Sequence, residues 1–142
     1  MARSSELPGV WRWMPEKTDI ALVIDDSAVR GALKFVLELE GLNVRPYEDL
    51  AAMLVNSDLT RCGCMVVDHR MPSIDGLALV EVLRARNIAV PVIVITGYAG
   101  KELRHRAAKA GVHLILQMPI MDRSLLDGVF SALGCAHDPP TA

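Results

Sequence analysis

Aromatic side chains are scarce in this chain, 4% of 142 residues, so its core must be aliphatic. No apolar stretch approaches the roughly 18 residues that cross a bilayer. The start, Met1-Ala2-Arg3-Ser4-Ser5-Glu6, leads into no apolar segment of the secretory kind, so a cytoplasmic location without membrane contact is expected. An excess of basic charge is missing as well: the formal net charge is −2, which gives no general attraction to nucleic acid. Cysteine is sparse and odd in number, with Cys62, Cys64 and Cys135, far from the density of a disulfide framework and suited to a reducing compartment. The Cys62-Gly63-Cys64 triplet has no second ligand pair at zinc spacing, and Cys64 opens an apolar run. These thiols are expected to be small buried or loop residues rather than a metal or redox site.

What the chain has is a 51% apolar composition over a length suited to one domain with a real core. Its apolar residues fall in short continuous runs, the mark of parallel strands buried on both faces. Ile20 to Ile24 runs into Asp25-Asp26, Met65 to Val67 into Asp68, Val92 to Ile95 into Thr96, and Leu114 to Leu116 into Gln117-Met118-Pro119. Asn43 to Tyr47 is a weaker second strand. Between the runs lie amphipathic stretches with helical spacing. The first is Ser27 to Glu40, with Val29, Leu33, Val36 and Leu37 on one face, Ser27 as a natural N-cap and Gly41 as a stop. Further helices are predicted from about Asp49 to Asn56, Gly76 to Arg86, Gly100 to Ala110 and Asp122 to Leu133. Strict alternation of strand and helix, with right-handed crossovers, requires a parallel sheet covered on both sides. Residues 1–17, with Trp11 and Trp13 between Pro8-Gly9 and Pro15, read as an N-terminal extension, residues 18–134 as the folded domain and 135–142 as a tail. The two tryptophans suit an anchor on the domain or on a partner.

In open α/β sheets, ligands bind beyond the carboxyl ends of the strands. Asp25, Asp26, Asp68 and Thr96 all fall at such ends and are expected to share one crevice suited to a divalent cation and a phosphoryl group. Taken singly, each residue has an ordinary alternative. Adjacent acids after a strand also favour a helix N-terminus, and a threonine before glycine also suits a turn. Together with the Met71-Pro72 turn, Asp75-Gly76 and Met118-Pro119, the set resembles a receiver domain of bacterial two-component response regulators, over roughly residues 18–134.

That resemblance implies a flavodoxin-like doubly wound α/β fold, with a five-stranded parallel sheet of order 2-1-3-4-5 and five helices. It implies a sensor histidine kinase that donates a phosphoryl group to Asp68. It further implies Mg2+ held by Asp25, Asp26, Asp68 and the backbone carbonyl of Arg70, with Thr96 contacting the phosphoryl group. The chemistry is coherent, since clustered carboxylates resist ionisation until a cation neutralises them. Magnesium in turn bridges carboxylate and phosphate oxygens well. With no room in this length for an added helix-turn-helix domain, output is expected through an unknown downstream protein effector or a phosphotransfer protein, without nucleic acid or membrane. A homodimer through the fourth-helix to fifth-helix face is a further expectation, from basic Lys101, Arg104, His105, Arg106 and Lys109 beside Asp122, Arg123 and Asp127.

Two positions depart from the receiver pattern. Met118 stands where receivers carry a lysine before the proline, and Ile115 stands where they carry an aromatic residue. These departures keep a second reading open, a degenerate pseudo-receiver that binds proteins independently of phosphorylation. A third, a small phosphohydrolase with an aspartate nucleophile, fits less well: Asp25-Asp26 lacks the Asp-x-Asp spacing such enzymes use, and no cap segment is apparent. A non-enzymatic signalling module is therefore the expectation. His69 and the Arg70 side chain are expected to be a packing and a solvent-facing residue respectively.

Overall fold

The computed structural model describes residues 18–56, 59–71 and 74–134, so the expectations for Trp11, Trp13, Pro72 and Cys135 lie outside the described residues. The strands are β1 (Asp19–Val23), β2 (Asn43–Tyr47), β3 (Cys62–Asp68), β4 (Val92–Thr96) and β5 (Leu114–Gln117). The helices are α1 (Ser27–Leu39), α2 (Leu50–Asn56), α3 (Gly76–Ala85), α4 (Lys101–Ala110) and α5 (Ser124–Ala132). All strand pairs are parallel, in the order β2-β1-β3-β4-β5. The expected sheet order and helix number are both observed.

Side chains along a strand point alternately to opposite faces, and here both faces are covered. Ile20, Leu22, Val66, Ile93 and Ile95 pack with Leu33 and Leu37 of α1 and Leu126 and Val129 of α5. Ala21, Val23, Met65, Val67, Val92 and Val94 pack on the other side with Met53, Leu77, Val80, Leu83 and Ala107 from α2, α3 and α4. This two-sided burial is why the strands read as continuous apolar runs. Each fully buried aliphatic side chain contributes about 1.5–3 kcal/mol. Pro46, which cannot donate to a ladder, is accommodated because β2 is an edge strand.

Helix boundaries follow local chemistry, with one shift that matters for the site. Asp26, rather than Ser27, caps α1: its Oδ1 accepts from the N–H groups of Ala28 at 2.9 Å and Val29 at 3.1 Å. A carboxylate reaches these donors and also opposes the positive helix end, so it takes the capping place from the hydroxyl next to it. In the same way Asp75 caps α3 through Ala78 N–H at 2.7 Å. Helix α5 begins at Ser124 rather than Asp122, whose Oδ1 accepts from Ser124 N–H at 2.9 Å. Helices α1 and α4 stop at Gly41 and Gly111, with φ of 84° and 78°, where glycine avoids left-handed strain.

Cys62 and Cys64 are buried and free, as expected of packing thiols. Register slips at Gly63, because Asp19 faces Cys62 while Ile20 faces Cys64. The slip sends the two thiols to opposite faces of the sheet, so they cannot act as a ligand pair. Burial pushes both thiols up, away from the reactive thiolate.

Gly76, the first residue of α3, lies hard against the end of β3. A Cβ built there would stand 2.8 Å from the Asp68 carbonyl oxygen and 3.2 Å from His69 Cα. Both are backbone atoms, which cannot rotate aside. Gly76→Ala should therefore destabilise by about 1–3 kcal/mol in chemical denaturation, although alanine is the better helix former by about 0.5–1 kcal/mol. A stabilised variant would contradict this close approach.

Candidate phosphoacceptor site

The expected site residues lie on or just beyond the C-terminal ends of β1, β3 and β4. Ladder register sets their neighbourhood: Val23 faces Val67, and Asp68 faces Ile95. Asp68 thus ends the central strand, with the Asp25-Asp26 loop on one side and Thr96 on the other. This is the switch point of the sheet, where the chain runs outward from β1 to β2 and from β3 to β4.

Asp68 is half-buried, and its carboxyl is raised above the ordinary 3.8, first of all by burial. A hydrogen bond from Arg70 N–H to Oδ1, at 3.2 Å, works in the opposite direction. The Asp25 charge raises it further, His69 lowers it, and Asp26 raises it by a smaller amount. Asp25 and Asp26 therefore both act on Asp68, Asp25 more strongly. Both are exposed, whereas Asp68 is partly withdrawn from water.

The donor set suits one kind of metal and not another. No group of three or more His, Cys, Asp or Glu side chains among the described residues is placed to hold a metal ion by itself. Asp26 commits Oδ1 to the α1 N-terminus, and Asp68 commits Oδ1 to Arg70. Asp25 and the second carboxylate oxygen of Asp68 take no part in these bonds. Such hard-oxygen donors would suit magnesium, which keeps several waters and takes only one or two carboxylates.

Thr96 is buried at 4% exposure, and its hydroxyl is engaged. It donates to the Tyr98 carbonyl at 3.1 Å and accepts from Tyr98 N–H at 3.3 Å, a local turn around Gly97. The hydroxyl would have to exchange these bonds to meet a phosphoryl oxygen at Asp68. Met118 is partly buried against the α1/α5-side core, and its N–H donates to the Thr96 carbonyl at 2.8 Å. An apolar chain thus occupies the place where receivers carry a cation. Ile115 packs on the opposite core, beside α3 and α4. His69 is half-buried; its backbone N–H donates to Ile95, and its Nδ1 has no hydrogen-bond partner.

Four features are not expected from the sequence. The Arg30 guanidinium donates to the carbonyls of Ile24 at 2.7 Å and Asp25 at 3.2 Å. Gln117 Oε1 accepts from Ala99 N–H at 2.9 Å, tying β5 to the loop before α4. Arg106 reaches Glu81 at 3.0 Å and Asp75 at 3.6 Å, so part of the basic α4 face is paired with α3 within the molecule. Arg123 likewise pairs with Glu40 at 3.6 Å. For Arg30 a signal exists: it stands four residues after Asp26, one helical turn into α1. A cavity of about 510 Å³, lined by Cys62, Pro91, Val90 and Leu133 among others, lies at the opposite end of the strands.

The strand order and helix placement define a flavodoxin-like α/β fold of the signalling-receiver kind. The chain belongs to the response regulator receiver domain family, whose family model matches residues 20–130. Among curated relatives it is 39% identical over 121 residues to the transcriptional regulatory protein FixJ of Azorhizobium caulinodans, covering 85% of this chain and 57% of FixJ. It is 36% identical to the C4-dicarboxylate transport transcriptional regulatory protein DctD of Pseudomonas aeruginosa, covering 82% of this chain and 25% of DctD. The chain therefore spans little more than half the length of the first relative and a quarter of the other. The crystal structure of FixJ-N aligns with a TM-score of 0.74 at 30% identity, covering 82% of this chain and 93% of that one. A CheY-like receiver from Methanospirillum hungatei aligns with a TM-score of 0.73 at 26% identity, over 82% and 94% of the two chains. These relatives are named as regulators, not as enzymes. No helix among the described residues is long and apolar enough to cross a membrane.

The raised Asp68 carboxyl has a consequence for stability. The folded chain holds a proton that the unfolded chain releases at the ordinary value of 3.8. Stability should then fall as pH rises from that value through the higher folded one, and level off above it. Without divalent cations, Asp68→Asn should melt above the parent at neutral pH and converge with it in acid. A melting difference that stays constant with pH would contradict this assignment.

Proposed function

We propose that this receiver accepts a phosphoryl group on Asp68 from a sensor histidine kinase and acts by docking on a downstream protein effector or phosphotransfer protein. The observation that carries this reading is the end of β3: a partly desolvated carboxylate at the sheet's switch point, under the charge of Asp25 and Asp26. In the transfer, an Asp68 carboxylate oxygen attacks the phosphorus of a phosphohistidine. The P–N bond breaks, its electron pair returns to the imidazole, and an acyl phosphate forms. Attack requires the ionised carboxylate, which burial and the neighbouring acids disfavour. Mg2+ would be held by Asp25, Asp68, the Arg70 carbonyl and Asp26, the last with one oxygen already given to the helix cap. When bound, the ion neutralises these acids and the charge developing on the transferring oxygens. Thr96, released from Tyr98, would donate its hydroxyl to a phosphoryl oxygen.

A second reading, a protein-binding module independent of phosphorylation, is favoured by two observations: Met118 offers no cation to the phosphoryl group, and Thr96 is engaged elsewhere. Incubation with magnesium and a small phosphodonor separates the two. Intact mass should show one added phosphoryl group on the parent and none on Asp68→Asn. No gain on either protein would favour the second reading.

The missing lysine sets a further expectation. A hydrogen bond to a charged group contributes about 1.5–3 kcal/mol, or about ten- to a hundred-fold in an equilibrium. Met118→Lys should strengthen the phosphorylation-dependent change in the amide spectrum around Thr96 and Tyr98. Identical spectra for parent and variant, with and without phosphodonor, would sink the argument from charge.

A further inference from the structure

Arg30 is the one unexpected side chain whose bonds reach the acid loop itself. The β1 ladder ends at Val23, so the carbonyls of Ile24 and Asp25 lie beyond the last residue that register pairs with β2 or β3. The half-buried Ile24 carbonyl needs a donor, and Arg30 supplies it with Nη1 at 2.7 Å, the same nitrogen lying 3.2 Å from the more exposed Asp25 oxygen. Its own backbone N–H donates to Asp26 at 2.9 Å, the first hydrogen bond of α1. Arg30 therefore clasps three successive carbonyls, those of residues 24, 25 and 26, through side chain and main chain together. The Ile24 side chain is fully buried below, and the Asp26 carboxylate is fixed by capping. Asp25, exposed between them, has its peptide held from the helix side by this guanidinium.

We propose that Arg30 is a positioning residue for the phosphoacceptor site: by holding the Ile24 and Asp25 carbonyls, it fixes the direction in which Asp25 presents its carboxylate toward Asp68. This rests on the reading of Asp68 and Asp25 given above. The role is exerted through the backbone, because the guanidinium meets carbonyl oxygens of the loop rather than a carboxylate. Arginine suits the task, since its fork keeps several donors in a fixed plane. A lysine ammonium would retain part of it.

The test uses the full chain as parent, Arg30→Met and Arg30→Lys. In metal-free solution, the carbonyl carbon shifts of Ile24 and Asp25 are measured by NMR; magnesium is then titrated and followed at the amides of Asp25, Asp68 and Arg70. Arg30→Met should move both carbonyl shifts and weaken magnesium binding about tenfold, and Arg30→Lys should recover part of that loss. A lower melting temperature with unchanged magnesium affinity would make Arg30 a merely structural residue and overturn the proposal. So would unchanged carbonyl shifts in Arg30→Met. If the methionine variant does not fold, a lysine variant with displaced carbonyl shifts and weakened magnesium binding counts as support, while one with displaced shifts and parental affinity counts against. A parent that neither binds magnesium nor gains a phosphoryl group defeats the reading of the site instead, and the metal-free carbonyl shifts then decide by themselves whether Arg30 holds the loop.

Discussion

Two-sided burial of the central strands is the constraint from which the rest of this molecule follows. A strand covered by helices on both faces has no solvated side on which to carry polar groups. Its polar residues are confined to its ends, and the parallel ladder brings those ends together at one edge. Asp68, Asp25 and Thr96 are neighbours because Val67 faces Val23 and Asp68 faces Ile95. The same burial raises the Asp68 carboxyl, so the fold that gathers the acids also disfavours their joint ionisation. Structure and electrostatics here have a single origin.

The fold is legible in the sequence because its signals are local and consistent. Apolar runs mark the strands, 3.6-residue periodicity marks the helices, and glycines 41 and 111 mark two stops. Strand order comes from the family resemblance, since alternation alone leaves several orders open. At the site, residue types locate the groups but not their engagements. Asp26 and Ser27 both suit an N-cap, and only the path of the loop decides that the carboxylate takes the place. Thr96 suits both a phosphoryl contact and a turn, and in this conformation it makes the turn. The role of Arg30 is only half signalled: it stands one helical turn after Asp26, but its partners are carbonyl oxygens, which leave no trace in residue type. Arg106 belongs by sequence to a solvated basic face, while the fold gives it Glu81 and Asp75.

The departures at Met118 and Ile115 belong to packing as well as to chemistry. Met118 joins the core shared by α1 and α5, and Ile115 joins the one shared by α3 and α4. Each position gives up a polar or aromatic function at the edge for aliphatic packing beneath it. That packing comes with a more acidic and less cationic crevice. The loop above is held by Gln117 on Ala99 N–H, by Met118 N–H on the Thr96 carbonyl and by the Arg104 guanidinium on the Ala99 carbonyl.

The irregularity at Gly63 places the one misfit of the sheet at its foot. Strand β3 is longer than its neighbour β1, yet Val67 still meets Val23 at the top. Of its two extra residues, Gly63 is absorbed at the slip beside Asp19 and Cys62, while Asp68 projects past the last rung, Val23 with Val67. Above the slip the rungs from Ile20 with Cys64 to Val23 with Val67 stay in step. The end of the sheet that carries the acids is thus spared the irregularity at the other.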